Sequence, residues 1–211
     1  NRQSPSVSAA VEWLKDQCGL DRAGAEQAVE YIVAGRTVLG EVPTRTTVIA
    51  ERFFDEGGGM QLVIHSPLGG RINRALGLAL RKRFCRRFDF ELQAAASDDA
   101  VGISLGPGQS LPLEELPRFL TSATAQETLA QALLLSPMFQ VRWRWNLGRA
   151  LIVLRQRGGR RNPPPIQRME ADDLLAAVFP ALAACQENAA AGPIELPDHP
   201  MVRQTMHDCL H

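Results

Sequence analysis

Hydrophobic positions along the chain change period twice. From Ser8 to Cys18 they fall at Val11, Leu14 and Cys18, the spacing of one helical face, and Gly19 can end that helix. Asp21 can cap a second helix running to Leu39, with Ala25, Ala28, Val29, Ile32 and Val33 on one face and Gly40 at its stop. The period then drops to that of strands. Thr46 to Phe54 is β-branched and aromatic, Asp55-Glu56-Gly57-Gly58-Gly59 reads as a hairpin turn, and Met60 to His65 is the returning strand. Pro67-Leu68-Gly69-Gly70 breaks that strand. Arg71 to Phe84 is helical, with Ile72, Leu76, Ala79, Leu80 and Phe84 on one stripe and Arg74, Arg81 and Lys82 off it. Phe88 to Ala94 alternates as a half-buried strand does, Asp98-Asp99 makes a turn, and Val101 to Leu105 is another strand.

Beyond Gly106-Pro107-Gly108 the period is helical again. Leu113 to Leu120, Ala123 to Leu135, Val141 to Gln156, Ala171 to Phe179, Ala181 to Asn188 and Pro200 to His211 are the expected helices. Pro137 interrupts the series, and Asp198 or His199 caps the last member. The arginines, glycines and triple proline of 157–165 read as an exposed loop. The expected fold is therefore α+β: an antiparallel sheet from two β-hairpins with an intervening helix (41–106), a helical lead-in (1–40) and a helical C-terminal half (107–211). All of it fits one unit.

Length and composition narrow the class. At 211 residues, 45% hydrophobic and 22% charged, the chain can bury a core of its own. It has no apolar run long enough for a membrane span and no leader-like start, so no membrane partner is expected. Its first residue is not Met and its last helix shows no cap, which fits a piece of a longer protein. Cys18, Cys85, Cys185 and Cys209 lie far apart without a paired spacing. They read as reduced thiols of a cytoplasmic protein rather than as a zinc site or disulfide framework.

Net charge is zero, but its distribution is uneven. Seven basic residues and no acid lie between Arg71 and Arg87, and seven arginines and no acid between Arg142 and Arg161. Such blocks suit an anionic partner or a solvated helix face. At Gly69-Gly70-Arg71-Ile72-Asn73-Arg74 a helix start with free N–H groups and two arginines suits a phosphate, or is simply a tight turn. The stretch has neither the nucleotide P-loop nor the dinucleotide glycine pattern. In the second block, a helical wheel places Trp143, Leu147, Ala150, Leu151 and Leu154 on one face. Trp145 lies about 200° from Trp143, beside Arg142 and Arg149. Trp145 could stack on a base while the arginines hold phosphates, or it could pack against another element. His207-x-Cys209-x-His211 offers only two convergent side chains, too few for a metal. His65 has no partner identifiable from sequence, and no nucleophile-base set or carboxylate pair stands out.

Longer stretches carry a resemblance. Glu51-Arg52-Phe53-Phe54-Asp55-Glu56, Gly58 to Ala75 (GGMQLVIHSPLGGRINRA), Leu80 to Cys85, Phe90 to Ala96, Pro137 to Asn146, Met169 to Phe179 and Pro197-Asp198-His199-Pro200 resemble the DEAD/DEAH-box-helicase-associated domain. That domain occurs in the large helicase-related (Lhr) ATP-dependent helicases of superfamily 2, and the likeness runs from about Ala9 onward. It implies two RecA-like motor domains and a winged helix preceding this region in the parent, and 3′-to-5′ movement on single-stranded DNA with unwinding of duplexes, RNA:DNA hybrids included. ATP and Mg²⁺ would belong to the motor, because this stretch has no Walker A or DEAD-type box and no cofactor of its own is expected. A glycosylase-like region of long members is not expected here.

The expected role is thus an accessory domain that helps form the single-stranded DNA track. Arg71, Arg74, Arg81, Lys82, Arg142, Trp145, Arg149, Arg160 and Arg161 are the candidate contacts. A purely structural clamp between neighbouring domains is the alternative. An independent base-excision or nuclease activity is a third reading and lacks a motif.

Overall fold

The computed structural model describes residues 6–88, 92–119, 121–183 and 193–211. Two helices lead in, α1 (Val7–Cys18) and α2 (Arg22–Leu39). The Ser6 hydroxyl accepts from the Ala9 N–H and the Asp21 carboxylate from the Gly24 N–H, and the helices end at Gly19 and Gly40 as the sequence predicts. They share a small core of Val11, Ala25 and Val29 separate from the rest. Trp13, Tyr31, Ile32, Val33 and Val38 stay exposed on their outer faces.

The sheet follows. Strands β1 (Ile49–Phe54) and β2 (Gly59–His65) form one antiparallel hairpin, and β3 (Leu92–Ala96) and β4 (Ala100–Pro107) the other. Helix α3 (Gly70–Phe88) connects them, and β2 pairs with β4, giving the order β1-β2-β4-β3. The first turn closes on Asp55. Its carboxylate accepts from the N–H groups of Gly57 and Gly59, each at 2.9 Å, and from Gln61 Nε2 at 2.8 Å. The Gly59 N–H, then the Gln61 amide, hold the Asp55 carboxyl below its ordinary range. Met60, Leu62 and Ile64 from β2 and Val101, Ile103 and Leu105 from β4 face α3, where Leu80 and Phe84 complete the core. Each such fully buried side chain contributes roughly 1.5–3 kcal/mol.

The second half packs around α5 (Ala125–Leu134), α6 (Pro137–Arg149), α7 (Pro164–Val178) and α9 (Pro200–Leu210). A 3₁₀ turn (Leu113–Glu115), the short α4 (Leu116–Phe119) and α8 (Pro180–Ala183) complete the helical elements among the described residues. Its core holds Phe139, Trp143, Leu147, Leu175, Phe179 and Val202. Leu78 of α3 reaches this second core from the opposite flank of the helix, so α3 stands between both.

Several expectations change. Helix α3 runs on to Phe88 instead of stopping at Phe84, because Phe88 clusters with Phe84 and Phe119, with ring centroids 6.3 and 5.8 Å away. The expected strand from Phe88 starts at Leu92, with residues 89–91 outside the described set. Pro137 starts α6 at its first position, where no N–H is needed, with Ser136 as cap. The helix then ends at Arg149, so Ala150, Leu151 and Leu154 do not continue the Trp143 face. The expected loop 157–165 is exposed but ordered. It contains a hairpin of β5 (Gln156–Arg157) and β6 (Arg160–Arg161), and its prolines start α7. The expected helix 181–188 is described only as far as α8, and residues 184–192 lie outside the described set.

Candidate nucleic-acid interface

The start of α3 is already closed. The Asp98 carboxylate accepts from the Gly70 N–H at 2.9 Å, and the Asp98 carbonyl from the Gly69 N–H at 3.0 Å. A Cβ on Gly70 would sit 2.5 Å from Asp98 Oδ1, so only glycine lets the carboxylate reach the helix end. Buried Asn73 donates to the carbonyls of Ser66 (2.7 Å) and Ser97 (3.0 Å), tying the turn to both hairpins. The helix-start position read as a phosphate cradle is therefore filled by an internal carboxylate, which the helix dipole favours.

Three arginines of the first block have hydrogen-bond partners within the fold. Arg74 Nε turns back to the Gly70 carbonyl at 2.9 Å, and Arg71 donates to the His211 carbonyl at the end of α9. Arg83 donates to the Phe119 carbonyl, the Thr121 carbonyl at 3.1 Å and Thr124 Oγ1 at 2.9 Å. It clamps the segment between α4 and α5 onto α3. Lys82 is half-buried, and burial, then the Arg86 charge, pushes its ammonium below the ordinary range. Arg81, Arg86 and Arg87 are exposed, and the Arg87 guanidinium lies 5.9 Å from the Phe88 ring centre.

The second block differs. Trp143 is 1% exposed and its indole N–H donates to the Ala171 carbonyl at 2.8 Å. Two residues on, Trp145 is 60% exposed. Arg142 and Arg149 flank it on the open side of α6, with Met138 and Val141 partly exposed beside it. Arg155 Nε lies 3.9 Å from where a Cβ on Gly148 would be. Gly148 follows Trp145 by three residues on α6, so Arg155 lies against the last turn of the helix that carries Trp145. The wheel placed Trp145, Arg142 and Arg149 together; Arg155 was missed, because it arrives only after the chain turns back at the end of α6.

Helix α9 joins the two blocks. Arg71 reaches its last carbonyl, and the Arg142 charge acts on the Cys209 thiol, which burial nevertheless pushes up. Asp208 sits below the ordinary carboxylate range because of the Asn146 side chain first, with Gln204, His207 and Arg149 adding to it. Arg160 and Arg161 lie further out, on the β5–β6 hairpin. Two smaller expectations resolve here. His65 Nε2 lies 2.9 Å from Glu51 Oε1, a diagonal pair across β1 and β2. His207 and His211 stack with ring centres 4.6 Å apart, and no group of three or more metal-ligating side chains occurs among the described residues. No helix among them is long and apolar enough to cross a membrane.

The model of the DEAD/H associated family matches residues 42–211, from just after α2 to the end of α9. The chain belongs to that family. It is 32% identical over 177 residues to a Mycolicibacterium smegmatis protein named Lhr helicase/probable uracil glycosylase, covering 83% of this chain and 11% of that one. It is 26% identical to the ATP-dependent helicase Lhr-Core of Methanothermobacter thermautotrophicus, over 78% of this chain and 19% of that protein. A solved structure of Mycobacterium smegmatis helicase Lhr bound to single-stranded DNA and AMP-PNP is similar over 99% of this chain and 24% of its own, with a TM-score of 0.75 and 26% identity. The chain thus spans between about a tenth and a quarter of the length of these relatives.

Proposed function

We propose that this chain is an accessory domain of an Lhr-type ATP-dependent helicase, and that the open face of α6 lines the path of the translocating single strand. The observation that carries this reading is Trp145, a mostly exposed indole beside Arg142 and Arg149, with Arg155 against the end of the same helix. An aromatic face stacks on any base and guanidiniums hold the flanking phosphates, the combination that binds single strands without sequence preference. The likeness to an Lhr structure solved with single-stranded DNA supports the same reading. Movement in the 3′-to-5′ direction, ATP and Mg²⁺ belong in this reading to RecA-like motor domains of the parent, and an RNA:DNA hybrid is a substrate alongside DNA.

Binding should be weak and salt-sensitive. The test is a fluorescence titration of labelled single-stranded DNA at low salt with the wild-type chain, a Trp145→Ala/Arg142→Ala variant and an Arg83→Met variant. The first variant should lose most affinity, and the second should keep it. Equal affinity for all three proteins sinks the proposal.

A second reading, a clamp that braces the motor and winged helix, is favoured by α1 and α2. They share only a small core and leave Trp13, Tyr31, Ile32 and Val33 exposed. Under that reading alone, Trp145→Ala would lower the melting temperature of the parent helicase and leave its DNA affinity intact.

A further inference from the structure

The β5–β6 hairpin is an unusual element for its size. A ladder of two residues on each strand has almost no stability of its own. Here it stands outside the main sheet and is held from below. Gly158 and Gly159 both take positive φ, 58° and 76°, the conformation of the tightest two-residue hairpin turn. At the base, Asn162 donates through Nδ2 to the Leu154 carbonyl (3.1 Å) and to Glu170 (3.3 Å), and its backbone N–H bonds the Arg155 carbonyl (2.9 Å). Gln167 of α7 donates to the Asn162 carbonyl at 2.7 Å. Four groups thus fix a projecting turn that covers no core.

The register determines what the turn displays. Arg157 stands opposite Arg160, and Gln156 opposite Arg161. Directly paired residues share a face of a two-stranded ribbon and alternate along it. Arg160 therefore points to one face and Arg161 to the other. Arg157, on the Arg160 face, is turned to Glu170 at 3.3 Å. Arg160 and Arg161 are both exposed, and neither guanidinium makes a hydrogen bond or ion pair among the described residues. The tip carries no aromatic or aliphatic side chain.

We infer that this hairpin contacts the phosphate backbone of duplex nucleic acid, separately from the single-strand surface on α6. A ribbon with one free guanidinium on each face meets anions on both sides. A single strand passing along it would meet one face only. A groove bordered by two phosphate rows supplies both, and the major groove admits a two-stranded ribbon. The lack of any stacking side chain at the tip fits a contact to phosphates and not to bases. The inference rests on the proposed nucleic-acid role of the domain and assigns the duplex ahead of or behind the single strand to a second site.

The test titrates three labelled DNAs over a range of salt: a blunt duplex, a single strand, and a duplex with a 3′ single-stranded tail. The proteins are the 211-residue chain, Arg160→Gln/Arg161→Gln, Arg160→Lys/Arg161→Lys and Trp145→Ala. Thermal unfolding of each variant checks the fold, which exposed arginines should leave unchanged. For the duplex, the slope of log K against log salt should become shallower by about 0.9 for each arginine lost in the glutamine variant. The lysine variant should keep the slope, and the glutamine variant should bind the single strand as the wild type does. An unchanged duplex slope overturns the inference and leaves an acidic protein face as the partner of the tip. A loss of the same size on the single strand overturns it too, by merging the hairpin with the α6 surface. If Trp145→Ala leaves single-strand binding intact while the glutamine variant loses duplex binding, the α6 proposal fails and the hairpin contact stands.

Discussion

Two stretches with the same number of basic residues and no acid end in opposite situations. The block on α3 has seven basic residues and no acid, and the block from α6 through β6 has seven arginines and no acid. In the first, Arg71, Arg74 and Arg83 donate to backbone carbonyls, and Lys82 is partly withdrawn from water. In the second, Arg142, Arg149, Arg155, Arg160 and Arg161 are exposed, around or beyond an open tryptophan. Charge density along a chain therefore counts cations but not their partners. A guanidinium that satisfies three internal acceptors is a cross-link, and one facing water beside an indole is free to take a ligand. The first block mainly joins the sheet to the helical half. The second holds the larger share of the free cations, five exposed arginines against Arg81, Arg86 and Arg87 of the first.

The two tryptophans of α6 give the widest separation. Trp143→Ala removes a buried indole and its bond to Ala171 and should cost about 3–5 kcal/mol in chemical denaturation. Trp145→Ala, two residues away, should change stability by no more than about 0.5 kcal/mol. It should weaken single-strand binding by about 1–3 kcal/mol, the worth of one stacked base. If Trp145→Ala instead destabilises like Trp143→Ala, the open face of α6 is a packing surface and the contrast between the blocks disappears.

Arg83 against Arg149 separates the blocks by a smaller margin. Arg83→Met strands the Phe119 and Thr121 carbonyls and should cost about 2 kcal/mol of stability, with single-strand affinity unchanged. Arg149→Ala should be near neutral for folding and reduce the salt slope of single-strand binding by about 0.7. The reverse pattern would make α3 the nucleic-acid surface.

Local signals in the sequence were readable because the groups that answer them lie a few residues away. Asp21 caps α2 through Gly24, Asp55 closes the first hairpin through Gly57 and Gly59, and the 200° separation of Trp143 and Trp145 follows from helix geometry alone. What stayed hidden depends on distant partners. The carboxylate that fills the α3 start comes from 28 residues away, and the acceptors that turn Arg83 inward come from 36 to 41 residues away. Phe88 looked like the start of a strand because its aromatic partner Phe119 belongs to another element. The same limit applied at the end of α6. The apolar period of Ala150, Leu151 and Leu154 reads as more helix, and only the packed structure shows the chain leaving it.

That exit carries the smallest predicted effect. The Ile152 N–H bonds the Leu147 carbonyl and the Leu151 N–H the Gly148 carbonyl, the pattern in which a left-handed residue, usually glycine, ends a helix. Leu151 occupies that position at φ 59° with its side chain 73% exposed. A leucine there is strained by about 1–2 kcal/mol and recovers little by burial. Leu151→Gly relieves the strain but adds freedom to the unfolded chain, so it should stabilise by about 0.5–1 kcal/mol net. A melting temperature that falls would show that the Leu151 side chain contributes more than its exposure implies. A rise without loss of nucleic-acid binding would mark the strain as incidental. A rise with weaker binding would place the left-handed leucine, which sits between the α6 surface and the arginine hairpin, within the surface that the second block forms.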